Sequence, residues 1–350
     1  IQGRTTKSSE TTPEEHVTTR ETDPTIPATG EYPPLTPQDT AVSISEEPPP
    51  LKDLIIFEQE TPIMKKGIVA GIVAEGGTGK TQFIFQLGFL FARGGDLGPL
   101  TCPKPQKVLI LVGEDPQTEV DRRLWHIGFG TYPEGLHVAS VAGRVKPLMG
   151  VNKEGNAEIS TGFHWLEETI KNHENLDVLI IDPLSRFYGL NENSNEDATA
   201  WISCLEYLCN KHEITILYTH HVHKRASGSK QQNARGASGF VDGSRWIGEL
   251  SKITSDNVGK YVPKGLLYGT RNEYVSFFIT KSNYSAKLPR NLIFSRGEFG
   301  MLEFSNEETT REVEIADRLY QLLLEAAEKD KFYSQYDLTK DKKGKSVVDG

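Results

Sequence analysis

The octet Ala74-Glu75-Gly76-Gly77-Thr78-Gly79-Lys80-Thr81 joins a mostly apolar run at 68–73 to an amphipathic stretch at 82–93. Strand, glycine-rich loop and helix in that order make a phosphate cradle. Glycine lets the backbone curl so that successive N–H groups point inward at the β- and γ-phosphates, and the helix N-terminus adds partial positive charge. Lys80 brings neutralising charge and Thr81 a hydroxyl for Mg²⁺, while Glu75, Gly76, Gly77, Thr78, Gly79 and Gln82 complete the binding stretch. Ala74 stands where such loops usually carry their first glycine. It narrows φ freedom there without removing a ligand. The chemistry implied is binding of a nucleoside triphosphate with Mg²⁺.

Polar groups at the ends of other apolar runs extend that chemistry. Val178-Leu179-Ile180-Ile181-Asp182 ends in a carboxylate suited to hold Mg²⁺ through water or through Thr81. Glu114 follows the run at 107–112 and is the candidate base that orients or deprotonates an attacking water; the role of its neighbour Asp115 stays open. The run at 214–219 ends in His220 and His221, with His223 close behind. Three imidazoles invite zinc, but no carboxylate or thiolate stands at a suitable spacing. A sensor that feels the γ-phosphate and moves the following loop is the better reading, with a structural histidine as the alternative. That loop carries Lys224, Arg225 and Lys230 with almost no apolar content, which suits phosphodiester contact as well as a solvated surface. Arg235 closes it and is placed to supply transition-state charge if it reaches across a subunit boundary.

These positions need a sheet to gather them. The apolar runs at 68–73, 107–112, 178–181 and 214–219 read as strands buried on both faces, with a weaker one at 136–141. Helices are expected at 82–93, 117–127, 161–173 and 198–211, so strands and helices alternate in a doubly wound, mostly parallel α/β sheet. Beyond residue 245 the spacing changes. Runs at 246–250, 274–281 and 290–294 lack long crossovers and read as antiparallel edge strands. In such a sheet the ligand lies beyond the carboxyl ends of the strands, where the polar groups fall.

Composition places limits on the rest. Residues 1–53 are rich in Thr, Pro and Glu, with ten acidic residues against four basic ones. A segment of that kind buries too little apolar surface to offset its ordering entropy and reads as a disordered tail. It carries a net charge of −6 out of −9 for the 350-residue chain, so the remainder is no basic slab and any nucleic-acid contact must be local. Cys102, Cys204 and Cys209 show no metal or disulfide spacing, no apolar run approaches twenty residues, and no signal peptide opens the chain. A cytoplasmic protein without a membrane partner is expected. Residues 54–304 form the catalytic domain and 305–350 a helical C-terminal extension, with one clear helix at 311–329 and room for the start of a winged-helix module.

Ala74–Thr81, Gly113-Glu114-Asp115-Pro116 with Arg122-Arg123-Leu124, Ile181-Asp182-Pro183-Leu184-Ser185-Arg186-Phe187 and Thr219-His220-His221 are joined by Ala234-Arg235-Gly236-Ala237-Ser238, Arg245-Trp246 and Thr280-Lys281-Ser282-Asn283-Tyr284. Together, over about 54–304, they resemble the RepA-type hexameric replicative helicases of mobilisable plasmids, within the RecA/DnaB-like P-loop ATPases (an AAA-type domain). The resemblance implies a RecA-like fold and a homohexamer with ATP and Mg²⁺ at its subunit interfaces and single-stranded DNA in its channel. Primase or initiator proteins are further expected partners. It casts Lys80 and Thr81 as phosphate and Mg²⁺ ligands, Glu114 as catalytic base and Asp182 as the Walker B acid. His220 or His221 becomes the DNA-to-nucleotide sensor and Arg235 the finger from a neighbouring subunit; Lys281 matches a family lysine. The expected function is an ATP-driven DNA helicase. The alternative is a RecA-like ATPase that assembles on or regulates DNA without unwinding it. A small-molecule kinase is disfavoured because no arginine-rich lid is present.

Overall fold

The computed structural model describes residues 50–222, 235–253 and 274–304, without the side chains of 235–238. Residues 1–49 of the tail expected at 1–53, the basic loop with Lys224, Arg225 and Lys230, the Arg235 side chain and the helix expected at 311–329 lie outside these described residues; Asp53, placed at the end of that tail, instead opens the first strand.

The chain opens with β1 (Asp53–Phe57) and β2 (Thr61–Lys65), followed by β3 (Val69–Ala74), α1 (Lys80–Arg93), β4 (Gly95–Leu97), β5 (Leu100–Cys102) and β6 (Val108–Val112). Next come α2 (Gln117–Gly128), β7 (Leu136–Ser140), the hairpin β8 (Met149–Val151) and β9 (Ala157–Ile159), then α3 (Thr161–Asn172) and β10 (Val178–Asp182). Helices α4 (Leu184–Tyr188) and α5 (Asn195–His212) lead to β11 (Thr215–His221). After α6 (Arg235–Gly243) come β12 (Trp246–Ile253), β13 (Tyr274–Ser282), β14 (Leu292–Arg296) and β15 (Leu302–Phe304).

The main sheet has nine strands in the order β15-β14-β13-β12-β3-β11-β10-β6-β7. From β7 to β12 every neighbour is parallel; β13, β14 and β15 add on antiparallel. This is the expected doubly wound, mostly parallel α/β sheet with one correction. The run at 246–250 is the last parallel strand, because α6 carries the chain over one face and returns it alongside β3. β3, β6 and β10 are buried at every position, as strands covered on both faces must be. Alternate residues feed two cores. Val108, Ile110 and Val112 face α1, while Leu109 and Leu111 face the side of α3, α4 and α5.

Helix α1 differs from expectation. Its sequence reads as amphipathic, yet Gln82–Ala92 is buried on every side. A second sheet, β2-β1-β5-β4, covers the face that would otherwise meet water, with Leu54, Phe57, Ile63 and Leu100 in the same core as Phe83 and Phe91. Two polar side chains on that helix therefore need internal partners. Gln86 finds both of its own in β15: its amide donates to the Leu302 carbonyl (2.8 Å) and its oxygen accepts from the Leu302 N–H (3.0 Å). One helix thus carries the phosphate loop at its start and holds the β14–β15 hairpin on its flank.

Replacing Gln86 by leucine keeps the volume but leaves both Leu302 backbone groups buried without partners. An unmade buried hydrogen bond costs about 1–3 kcal/mol, so Gln86→Leu is expected to destabilise the fold by about 2 kcal/mol. Urea unfolding followed by circular dichroism measures this, and an unchanged midpoint would mean that the hairpin is held by apolar packing alone.

Candidate nucleotide site

A cleft of about 380 Å³ opens at the carboxyl ends of β3, β6, β10 and β11. Gly77, Gly79, Lys80, Thr81, Gln82, Glu114, Asp115, Asp182 and His221 line it from the sequence-derived set. Glu75, Gly76 and Thr78 shape the loop from behind. The Glu75 carbonyl accepts from the Thr78 N–H and hydroxyl, and Thr78 is fully buried. Gly77 and Gly79 have φ of +68° and +105°, conformations open to glycine at little cost. Ala74 falls at the end of β3 rather than in the curl, so its φ restriction is harmless there.

Lys80 is 5 % exposed. Its ammonium donates to the Ala74 carbonyl (2.9 Å), the Glu75 carbonyl (3.2 Å) and His221 Nδ1 (3.0 Å). Burial lowers its pKa to about 8, against the opposing pull of Asp182 and Glu114. His221 is shifted down as well, first by burial and then by the ammonium beside it, which keeps Nδ1 an acceptor. Strand alternation separates the two histidines. His221 shares a face with Thr219 and meets Lys80, whereas His220 is buried on the other face with its ring 4.9 Å from Phe240. Of the two candidate histidines, the structure brings His221 to the cleft and buries the other candidate, His220, on the opposite face.

Asp182 is buried, which raises its pKa, and hydrogen bonds from the Thr219 and Thr81 hydroxyls oppose that shift. The Thr81 bond is 2.8 Å. Because the Thr81 hydroxyl donates its hydrogen bond to the carboxylate, its lone pairs are left for a cation. Glu114 is half-exposed and accepts from Arg186 Nε at 3.1 Å. The approach of Arg186 depends on Gly113, where a Cβ would lie 2.9 Å from Arg186 Cβ. Across the cleft, Glu119 binds Arg122 and Arg123 and is held down to about 2 by those bonds. Arg123 also reaches Asp115 at 3.2 Å, so Asp115 serves the start of α2.

A phosphate chain fits this donor set. No side chain caps the N-terminus of α1, no acidic residue stands in its first turn, and nothing lies within 4 Å of a Cβ built at Gly76. For Mg²⁺ the Thr81–Asp182 pair offers the required oxygens. Among the described residues no His, Cys, Asp and Glu cluster fits a protein-held metal, and the three cysteines are free and buried. No described helix is long and apolar enough to cross a membrane.

Sequence reasoning missed the far wall. Arg296, Phe299 and Gly300, from the turn between β14 and β15, line the cleft more than 200 positions after the phosphate loop. Arg296 donates to the Thr78 carbonyl at 3.0 Å and Gln82 to Met301 Sδ at 3.2 Å. The one local signal was the Gln82/Gln86 pair, two amides one turn apart on a phenylalanine-rich helix. Lys281 proves to hold the end of α6, donating to the Val241 (3.1 Å) and Asp242 (2.6 Å) carbonyls, a favourable place for a cation.

Residues 31–227, more than half of the chain, match the model of a family described as AAA domain. Among solved structures, the chain is similar to the crystal structure of the flagellar accessory protein FlaH from Methanocaldococcus jannaschii. The identity is 14%, the TM-score 0.42, and the match covers 69% of this chain and 90% of that chain.

A depressed lysine facing an anion site links binding to protons. Below about pH 8 Lys80 is already charged; above it, binding must draw a proton onto the neutral amine, so affinity falls with rising pH. Calorimetry of a non-hydrolysable Mg·ATP analogue, in buffers of different ionisation enthalpy, is expected to show almost no proton uptake at about pH 7 and nearly one proton at about pH 9. Equal uptake at both would mean that Lys80 is charged throughout and that burial does not depress its pKa.

Proposed function

The chain belongs to the AAA domain family of P-loop ATPases, and on that premise we propose that it is an ATP-hydrolysing DNA motor, a hexameric helicase of RepA-like type. The observation that carries the reading is the direct contact between His221 and Lys80. The phosphate-binding lysine touches the last residue of β11, and the chain runs from there into Lys224, Arg225 and Lys230. A change at the phosphates is thereby mechanically close to the segment best suited to a phosphodiester backbone.

In this reading Lys80 and the N–H groups of the loop hold the triphosphate, and Thr81 with Asp182 holds Mg²⁺. The metal supplies charge that stabilises the phosphoryl group in transfer. Glu114 orients the attacking water and accepts its proton. Arg235, at the start of α6, completes the site of a neighbouring copy, which makes the homohexamer necessary to catalysis. Single-stranded DNA is the proposed partner of the basic loop, with a primase or initiator protein supplied separately.

ATP hydrolysis by the full chain, with and without single-stranded DNA, tests this beside Lys80→Ala, Glu114→Gln and Arg235→Ala. DNA is expected to stimulate the rate. Each variant is expected to lower it by about 10²-fold or more, with Glu114→Gln still binding nucleotide. Mixing Lys80→Ala with Arg235→Ala should restore part of the rate through mixed interfaces. A rate indifferent to DNA with a silent Arg235→Ala would sink the motor reading. Stimulation without separation of a forked duplex would leave a DNA-assembling ATPase that does not unwind.

A further inference from the structure

One pair of rings at the cleft has no part in phosphate chemistry. Phe299 stacks on His126 of α2 with centroids 3.6 Å apart and planes 7° from parallel. Phe299 also lines the cleft and is 57 % exposed. Its backbone sits at φ 55°, ψ 18°, a left-handed conformation that disfavours a bulky side chain. A large apolar ring held in a costly conformation, facing open space, asks for a ligand.

The turn bearing that ring is referenced to the phosphate loop. Arg296 binds the Thr78 carbonyl, Met301 meets Gln82, and Leu302 is paired to Gln86. Phosphate donors and a flat aromatic face lining one cleft match the two parts of a nucleotide. We propose that Phe299 is the stacking platform for its nucleobase, a purine by preference because stacking grows with ring area. The 3.6 Å separation leaves no room for a third ring between the pair, so the base takes the open face of Phe299, which lines the cleft, while His126 backs the ring from behind. Glu119, a carboxylate of α2 that lines the cleft, is engaged by Arg122 and Arg123, so it is not free to read the base edge. This inference rests on the reading of the cleft as a nucleoside triphosphate site.

Calorimetric affinities of the full chain for a non-hydrolysable Mg·ATP analogue and for Mg·tripolyphosphate, which has no base, test it. Phe299→Ala is expected to weaken the ATP analogue about tenfold and leave tripolyphosphate unchanged; Phe299→Tyr restores the loss. His126→Ala, which removes the ring that backs the platform, is expected to weaken the analogue less than Phe299→Ala does and to leave tripolyphosphate unchanged. Equal losses for both ligands in Phe299→Ala would overturn the platform and make the hairpin a support of the loop. No loss for either would overturn it too. A natural chain that binds neither ligand would fell the triphosphate reading itself, a result distinct from both.

Discussion

A buried ammonium organises this molecule. Lys80 lies at the junction of β3, α1 and β11, and water barely reaches it. A desolvated cation must be met by dipoles or anions, and here the carbonyl that ends β3, one loop carbonyl and one imidazole meet it, with Asp182 and Glu114 close enough to be felt. The loop is consequently curled around its own lysine. The same demand selects His221 over its neighbour, since only the residue on that face of β11 can offer a nitrogen to the ammonium.

Holding the lysine there requires a rigid helix behind it, and α1 is rigid because it has no wet face. The parallel sheet packs one side and the small sheet β2-β1-β5-β4 closes the other. That enclosure forces Gln82 and Gln86 to find partners within the protein, and both find them in the β14–β15 hairpin. Satisfying two buried amides thus brings a remote turn, with Arg296 and Phe299, to the rim of the phosphate site. The wall of the cleft follows from hydrogen-bond satisfaction in the core.

The parallel core and the phosphate loop were legible in the sequence because both are local patterns. Val108–Val112 and Val178–Asp182 are uninterrupted apolar runs of strand length, and only a sheet covered on both faces accommodates them. The loop declares itself within eight residues. The small sheet was not legible, since Asp53–Phe57 and Thr61–Lys65 are short and carry charged residues at their ends. Without that sheet in view, α1 reads as amphipathic.

By itself, the sequence determined the site's chemistry: glycines, a lysine and a threonine at fixed spacing, and carboxylates and histidines at the ends of strands. Tertiary structure alone decided which of those groups meet. Placing His221 on Lys80, Asp182 on Thr81 and Phe299 at the rim depends on strand order, pleat and register across more than 200 residues. A linear pattern records which residues alternate; it does not record which face the rest of the chain will cover.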